Sequence, residues 1–293
     1  MKIGFIGLGI MGKPMAGNLL KAGHELLVND HHKKNVEELL KKGAAAGSYE
    51  EIGSQCELVF TMLPNGPDVK KVVMEDGLGA SMQPGSCLID MSSINPLDSR
   101  AVAEYLAKRQ VEMLDAPVSG GEPKAIDGTL AFMVGGKPEV FERYRPVLAA
   151  MGSSVTLCGE IGAGNTAKLA NQIIVAMNIT AISEAFTLAK MAGVDPERVF
   201  EAIKGGLAGS TVMNAKMPMI LNNDFRPGFR IELHAKDLNN VLQCAEGVGA
   251  PVPFTAQIQE ILKKLIEDGR GREDHSSIAN YYYSLSGCRI GDK

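Results

Sequence analysis

The sequence predicts an α/β protein in which a doubly wound parallel sheet is followed by an all-α domain. Strand patterns alternate with helical patterns up to about residue 162, and only helical patterns follow. Strands that alternate with helices pair in parallel, and runs that are apolar throughout are typical of strands covered on both faces. A chain of 293 residues fits two domains. We place them at residues 1–162 and 163–293.

The elements follow from these periodicities and from glycine and proline punctuation. The predicted strands are Lys2–Ile6, Glu25–Asn29, Leu58–Leu63, Ser86–Asp90, Glu112–Ala116, Leu130–Val134 and Ser154–Cys158. Helices predicted between them include Val36–Lys42, Leu97–Lys108 and Pro138–Met151. The predicted helices of the second half are Ala163–Met191, Pro196–Lys204, Thr211–Leu221, Ile231–Glu246, Pro253–Glu267 and His275–Leu285.

Composition and charge exclude several classes of protein. Apolar residues make up 45% and charged residues 22%, as in globular proteins with a core. The net charge of −4 gives no electrostatic footprint for nucleic acid. The uncharged run Leu169–Ser183 is interrupted by polar residues and is shorter than the roughly 20 residues of a membrane span. We therefore expect neither nucleic acid nor membrane as a partner, and a buried helix for this run.

Cysteine and histidine spacing indicates no metal site. The five cysteines lie far apart without a C-x-x-C pair, and the histidines lack the spacing of metal ligands. Scattered cysteines of this kind are typical of reduced core thiols in a cytoplasmic protein. The N-terminus leads directly into a strand, so we expect no signal peptide.

A Gly-x-Gly-x-x-Gly turn joins the first strand to an apolar-striped helix. Gly7 permits a tight turn, Gly9 lets phosphates approach the backbone, and Gly12 lets the helix pack close to the strand. The unpaired N–H groups of the helix N-terminus attract phosphate. The motif predicts a dinucleotide site, and the alternative is an ordinary tight turn between strand and helix.

An acidic residue ends the second predicted strand. Asp30 lies where a carboxylate can accept hydrogen bonds from the adenosine ribose and repel a 2′-phosphate, which favours NAD over NADP. The following run His31–Lys34 could offset that repulsion. The alternative role for Asp30 is to cap the next helix.

Two further segments carry groups suited to chemistry. Ser119, Gly120 and Gly121 follow a strand and could present a hydroxyl and bare N–H groups to a carboxylate, or could form a simple turn. Lys168 begins an apolar helical face without acidic neighbours, so its pKa is expected to be lowered, as a general acid or base requires. Asn171 lies one turn further on. The alternative for Lys168 is a lysine whose head reaches water.

Together these segments resemble the β-hydroxyacid dehydrogenase family, which includes 3-hydroxyisobutyrate dehydrogenases. The motifs are Gly7–Gly12, Asp115–Gly121, Gly162-x-Gly164-x-x-x-Lys168 and Lys236-Asp237-Leu238, and the resemblance covers nearly the whole chain. The segments Glu122–Leu130, Gly205–Thr211 and Pro227–Ile231 are similar to the tartronate semialdehyde reductase branch. The resemblance implies a Rossmann domain, a helical domain and a homodimer or homotetramer.

The resemblance also implies roles for individual residues. Lys168 would be catalytic, and Ser119, Gly120 and Gly121 would bind the substrate carboxylate. Many family members place asparagine four residues after the lysine, whereas this chain has Gln172 there and Asn171 before it, so either could contact substrate. Lys236 would lie near substrate and cofactor, whereas the sequence alone favours Lys236 and Asp237 as solvated charges of a helix. The implied cofactor-binding residues are Gly7, Leu8, Gly9, Ile10, Met11, Gly12, Asp30, Leu63, Pro64, Asn65, Ser93 and Lys236.

The predicted activity is reversible hydride transfer between a nicotinamide, NAD with NADP possible, and a small acid. The favoured reaction reduces 2-hydroxy-3-oxopropanoate (tartronate semialdehyde) to D-glycerate. Alternatives are 3-hydroxyisobutyrate, succinic semialdehyde or glyoxylate as substrate. A dinucleotide-sensing protein without catalysis is a further alternative, which the presence of Lys168 and the acidic net charge disfavour.

Overall fold

A computed structural model describes residues 1–292, which fall into two compact units, Met1–Lys168 and a second that begins at Leu169. The predicted boundary lay between 162 and 163, whereas this division falls inside a long helix. The strands of the first unit are β1 (Lys2–Ile6), β2 (Glu25–Asn29), β3 (Ala45–Ala46), β4 (Leu58–Thr61), β5 (Cys87–Asp90), β6 (Glu112–Asp115), β7 (Val118–Ser119), β8 (Leu130–Gly135) and β9 (Gly152–Gly159).

These strands form a single sheet that confirms the predicted fold class. Its order is β3-β2-β1-β4-β5-β6-β8-β7, with β9 paired to β8. The pairs from β3 to β6 are all parallel. The order 3-2-1-4-5-6 is that of a Rossmann sheet, in which the strand order reverses between β1 and β4 and leaves a crevice beyond their carboxyl ends.

The prediction that the strands pair in parallel is wrong for β8. This strand is antiparallel to β6 and β7, and parallel only to β9. The short strand β7 turns back against β8, and residues 120–129 between them hold only a helix of two turns. A parallel crossover needs a dozen or more residues, so this connection is too short for one.

Helices cover both faces of the sheet. They are α1 (Gly12–Lys21), α2 (Lys33–Leu40), α3 (Tyr49–Gln55), α4 (Gly66–Lys70), the π-helix Lys71–Glu75, α5 (Leu78–Ser81), α6 (Pro96–Ala107), α7 (Gly121–Asp127) and α8 (Pro138–Leu148). One core cluster includes Phe5, Met15 and Phe132, and a second includes Ile52 and Leu88. Neighbouring β1 residues Phe5 and Ile6 belong to different clusters, which is why the strand is apolar throughout.

The helices of the second half agree with their predicted periodicity. They are α9 (Ala163–Met191), α10 (Pro196–Ile203), α11 (Thr211–Leu221), α12 (Ile231–Val248), α13 (Pro253–Glu267), the 3₁₀ turn His275–Ser277 and α14 (Ile278–Ser286). Their ends follow local signals. Asp195 caps α10 directly before Pro196, and Gly249 ends α12 in the left-handed conformation. A core cluster that includes Ile179, Leu238 and Leu262 joins several of these helices.

The long helix α9 is more exposed than predicted. Its length and mean hydropathy of 1.4 satisfy the criteria for a membrane span, which core helices of soluble proteins also satisfy. The apolar side chains of Ile174, Leu188 and Met191 are 60%, 71% and 61% exposed. Only Ile174 of these lies within Leu169–Ser183, so the expectation of a buried helix is partly met for that run.

The cysteines do not all lie in the core. Cys56 and Cys87 are buried, Cys244 and Cys288 are half-buried, and Cys158 is exposed on β9. Burial raises the pKa of the Cys56 thiol to about 11, which keeps it protonated and unreactive at neutral pH. The expectation of core thiols is wrong for Cys158, because β9 has only half-buried or exposed residues from 153 to 159.

Candidate active site

The glycine turn has the geometry that its motif predicts. Gly7 has a φ of +92°, which favours glycine. A Cβ on Gly12 would lie 1.9 Å from the carbonyl oxygen of Gly7, so no larger residue fits there without movement. A Cβ on Gly9, by contrast, would point into open space. The loop Gly7–Gly12 therefore offers accessible backbone at the N-terminus of α1, which suits a dinucleotide pyrophosphate.

Asp30 is tied to this loop. Its Oδ2 atom accepts a hydrogen bond from Leu8 N at 2.6 Å, and Oδ1 accepts one from His32 N at 2.6 Å. The second bond is to the N–H of His32, which is itself the N-cap residue of α2, so Asp30 does not cap that helix. The same carboxylate holds the glycine turn, a role that sequence reasoning did not assign. The ribose-binding role of Asp30 stays a prediction.

A cleft of about 660 Å³ opens beside the turn, with Gly9 and Ile10 on one side and Ile126 of α7 on the other. Ile10 is 57% exposed, so this part of the loop is accessible. Asp30 does not line the cleft, which lies along α1. The cleft therefore extends the surface of the turn but does not by itself outline a dinucleotide site.

Polar side chains meet at the carboxyl edge of the sheet. Thr61, Asp90 and Asp115 end β4, β5 and β6 in register, and all three are fully buried. Asp90 Oδ1 accepts hydrogen bonds from Thr61 Oγ1 at 2.9 Å and Ser92 Oγ at 2.6 Å. Burial raises the pKa of Asp90 to about 6, against the effect of these hydrogen bonds.

Ser92 connects Asp90 to the neighbouring loop through a further hydrogen bond. Its hydroxyl oxygen accepts a hydrogen bond from Leu63 N at 2.8 Å. Leu63 precedes Pro64 and Asn65, and Ser93 follows Ser92, so the predicted cofactor-binding residues lie on two adjacent loops. Asn65 accepts a hydrogen bond from Asp68 N at 3.0 Å and caps α4. Its side chain thus has a structural role beside the predicted cofactor contact.

Asp115 holds the beginning of α9. Its two oxygens accept hydrogen bonds from Gly162 N and Asn165 N, each at 2.7 Å. Asn165 in turn accepts a hydrogen bond from Ile94 N at 3.0 Å. Burial raises the pKa of Asp115, and the hydrogen bonds from Asn165 and Gly162 oppose that rise. The helix dipole also stabilises a negative charge beside the N–H groups of the first turn.

Lys168 lies in the second turn of this helix and is 6% exposed. The burial agrees with the sequence prediction of a sheltered amine. It disfavours the alternative of a lysine with its head in bulk water. The catalytic assignment itself remains a prediction.

The segment Ser119–Gly121 joins β7 to α7. Gly120 and Gly121 have φ values of +137° and +70°, so both adopt conformations that favour glycine. Ser119 is half-buried, and Gly120 is exposed directly before the helix. The segment is therefore a strand-to-helix turn whose backbone is accessible to a carboxylate.

The second unit contains a connected row of polar side chains. Asn171 Nδ2 donates to Gln172 Oε1 at 2.8 Å, and Gln172 Nε2 donates to Asp237 Oδ2 at 2.6 Å. Lys236 Nζ lies 2.9 Å from Asp237 Oδ1 in an ion pair. Sequence analysis interpreted Lys236 and Asp237 as solvated helix charges. That interpretation is wrong for Asp237, which is 2% exposed.

Sequence reasoning missed the roles of Asp90, Asp115 and Asp237. Asp90 and Asp115 each lie in an otherwise apolar run, as in the run ending Leu88-Ile89-Asp90, whereas Asp237 lies among polar residues and carries no such signal. A carboxylate inside an apolar run must be hydrogen-bonded or paired, so the pattern itself was the available signal for Asp90 and Asp115. No cluster of three or more potential metal ligands occurs among residues 1–292.

Comparison with known proteins extends over nearly all of the chain. The profile of the NAD binding domain of 6-phosphogluconate dehydrogenase matches residues 2–159. The profile described as NAD-binding of NADP-dependent 3-hydroxyisobutyrate dehydrogenase matches residues 162–282. The two matches meet close to the start of α9.

Individual relatives agree with these profiles. The chain is 43% identical to 2-hydroxy-3-oxopropionate reductase of Escherichia coli over 280 residues, which cover 95% of this chain and 96% of the relative. It is 38% identical to 3-hydroxyisobutyrate dehydrogenase of Pseudomonas aeruginosa over 291 residues, 96% of this chain and 98% of the relative.

A solved structure shows the same fold along the chain. The 3-hydroxyisobutyrate dehydrogenase of Mycobacterium tuberculosis, solved with L-serine, has a TM-score of 0.91 and 34% identity, with 96% of this chain and 98% of that chain covered. The glycine turn, the sheet order and these matches identify the chain as a member of the NAD(P)-dependent β-hydroxyacid dehydrogenase family, related to the 3-hydroxyisobutyrate dehydrogenases.

Proposed function

We propose that this enzyme reduces 2-hydroxy-3-oxopropanoate to D-glycerate, and catalyses the reverse oxidation. The observation that carries the proposal is the 43% identity to a 2-hydroxy-3-oxopropionate reductase over 95% of the chain. Other relatives at 36–38% identity are named for 3-hydroxyisobutyrate, 2-(hydroxymethyl)glutarate and 3-sulfolactaldehyde. All these names describe small acids, so the exact acid is the point that needs a test.

The proposed mechanism assigns proton transfer to Lys168. The bound nicotinamide supplies the hydride in reduction and accepts it in oxidation. The Lys168 ammonium would donate a hydrogen bond to the aldehyde oxygen and hand over its proton as the carbon–hydrogen bond forms. In oxidation the neutral amine would take the hydroxyl proton. General acid–base catalysis of this kind contributes about 10²- to 10⁴-fold in rate.

The proposed substrate carboxylate site is the turn Ser119–Gly121. The Ser119 hydroxyl and the bare N–H groups of the two glycines would donate hydrogen bonds to the carboxylate. Anchoring one end of a three-carbon acid fixes which face of the aldehyde the hydride meets. Lys236 would add a positive charge near substrate and cofactor.

We propose NAD as the preferred cofactor. Asp30 is almost fully buried and binds Leu8 N and His32 N, so its carboxylate is fixed beside the glycine turn. A fixed negative charge there repels the 2′-phosphate of NADP. His31, Lys33 and Lys34 follow and would weaken this preference rather than reverse it.

One steady-state experiment tests substrate and cofactor together. Purified enzyme is assayed with 2-hydroxy-3-oxopropanoate, succinic semialdehyde and glyoxylate, each with NADH and with NADPH. 3-Hydroxyisobutyrate is assayed as the oxidation substrate with NAD and with NADP. The proposal expects the highest kcat/KM for 2-hydroxy-3-oxopropanoate with NADH. A higher kcat/KM for another acid reassigns the substrate, and a preference for NADPH contradicts the role of Asp30.

We also propose a homodimer or homotetramer. The exposed Ile174, Leu188 and Met191 on α9 support it, because exposed apolar side chains along one helix favour contact with a second copy. Analytical ultracentrifugation at micromolar concentration checks the assembly, and a monomer at that concentration contradicts it.

A further inference from the structure

The row of side chains that joins α9 to α12 determines how its amides are oriented. A carboxylate only accepts hydrogen bonds, so the atom of Gln172 that faces Asp237 at 2.6 Å must be its NH₂ group. The Gln172 carbonyl oxygen then faces Asn171, which must present its own NH₂ group at 2.8 Å. The orientation of both amides therefore follows from the charge of Asp237.

Burial divides this row into a covered middle and accessible ends. Gln172 and Asp237 are 4% and 2% exposed. Asn171 is half-buried, and the Lys236 side chain is 27% exposed. Both polar atoms of Gln172 are engaged within the row. Asn171 and Lys236 at the ends can contact a small ligand, whereas Gln172 and Asp237 in the middle hold these two residues in place.

Gln172 is also held through its main chain. His234 Nε2 lies 3.2 Å from the carbonyl oxygen of Gln172. Because a carbonyl only accepts, Nε2 carries the hydrogen. His234 and Asp237 are three residues apart and share one face of α12. This face thus contacts Gln172 at both its main chain and its side chain.

We propose that Gln172 and Asp237 are positioning residues, and that the amide they orient, Asn171, offers its carbonyl oxygen to a hydroxyl group of the substrate. The inference rests on the proposed function and decides between the two amides that the sequence left open. The same contact would provide substrate specificity. The Asn171 acceptor oxygen favours 2-hydroxy-3-oxopropanoate over 3-oxopropanoate, because 3-oxopropanoate lacks the hydroxyl group.

A polarity exchange tests the positioning role. In Gln172→Glu, two carboxylates face each other and neither can donate a hydrogen bond. In Asp237→Asn, the new NH₂ group faces either the NH₂ group of Gln172 or the ammonium of Lys236. The double variant Gln172→Glu/Asp237→Asn restores a donor facing an acceptor at every contact in the row. Glu232→Gln, which removes a half-buried carboxylate paired with Arg230 on the same helix, is the matched control.

We expect each single variant to raise the KM for 2-hydroxy-3-oxopropanoate by about 10- to 100-fold. The Kd for NADH and the control variant should stay at the wild-type level. The double variant should return KM to within about threefold of wild type. Unchanged KM in the single variants, or a double variant as impaired as the worse single, overturns the inference.

Asn171→Ala tests the substrate contact. We expect the ratio of kcat/KM for 2-hydroxy-3-oxopropanoate to that for 3-oxopropanoate to fall about tenfold. An unchanged ratio overturns the inference. A wild-type enzyme inactive with 2-hydroxy-3-oxopropanoate contradicts the proposed function, and this inference with it. An active wild type whose double variant is not rescued contradicts the inference alone.

Discussion

Buried carboxylates of the two units hold different kinds of group. Asp30 and Asp115 of the first unit accept hydrogen bonds from main-chain groups, namely Leu8 N, Gly162 N and Asn165 N. Asp237 of the second unit accepts one from the side chain of Gln172 and pairs with Lys236. The first two carboxylates therefore fix the backbone, and the third fixes an amide and an ammonium.

This difference decides which perturbations affect stability and which affect substrate binding. Main-chain N–H groups that lose an acceptor stay buried, because the backbone cannot turn away. Of the two groups that contact Asp237, only the Gln172 amide is buried, and Lys236 can turn toward water. We therefore expect buried carboxylates of the first unit to matter more for the free energy of unfolding than Asp237.

The largest expected effect is on the stability of an Asp115 variant. Asp115→Ala should lower the free energy of unfolding by roughly 4 kcal/mol, because two buried N–H groups lose a charged acceptor. Asp237→Ala should lower it by roughly 1 to 2 kcal/mol. Urea denaturation measures both, with Glu112→Ala, at the half-buried start of the same strand as Asp115, as control. A larger loss for Asp237→Ala than for Asp115→Ala would break the comparison.

The second effect is the pH dependence contributed by Asp90. Burial raises its pKa from the ordinary 3.8 to about 6, so the folded protein binds the proton more tightly than the unfolded chain. The stabilisation that this carboxyl group gives is therefore greatest below pH 4 and is lost as pH rises toward 6, by about 3 kcal/mol in total.

Asp90→Asn checks this dependence, because an amide does not titrate. The free energy of unfolding of wild type minus that of Asp90→Asn should fall between pH 4 and pH 7 and stay constant above. Urea denaturation at intervals of half a pH unit measures it. A difference that rises over this range gives the opposite sign and contradicts the assignment.

The smallest expected effects on the free energy of unfolding are those of alanine substitutions at two glycines of the turn. Gly12→Ala should lower the free energy of unfolding by about 1 to 3 kcal/mol, because the added Cβ would lie 1.9 Å from Gly7 O. Gly9→Ala should change it by less than about 0.5 kcal/mol, because the Cβ points into open space. Its Kd for NADH should nevertheless rise if phosphates approach there. Unchanged NADH binding by Gly9→Ala would argue against that approach.

The same contrast explains what the sequence could predict. The glycine turn, the strands of the parallel part and the helices of the second half carry local signals, and α9 was predicted at Ala163–Met191 as observed. The antiparallel β8 and the first-unit helices α3 to α5 and α7 were missed. Asp30, which binds main-chain N–H groups, could be recognised because it directly follows a predicted strand.

Side-chain contacts between distant helices left no such signal. Gln172 and Asp237 are 65 positions apart, and their hydrogen bond depends on how α9 and α12 pack. Periodicity places each residue on a helix face but does not say which face meets which. For this reason the sequence left Asn171 and Gln172 as equal candidates and assigned Asp237 to solvent.

In the proposed mechanism the amine of Lys168 carries the proton, so the decisive measurement is the turnover of Lys168→Ala. We expect kcat to fall by about 10²- to 10⁴-fold, while the Kd for NADH measured by fluorescence stays within the error of wild type. Turnover near the wild-type value with normal NADH binding would contradict the central claim that this buried lysine carries the proton.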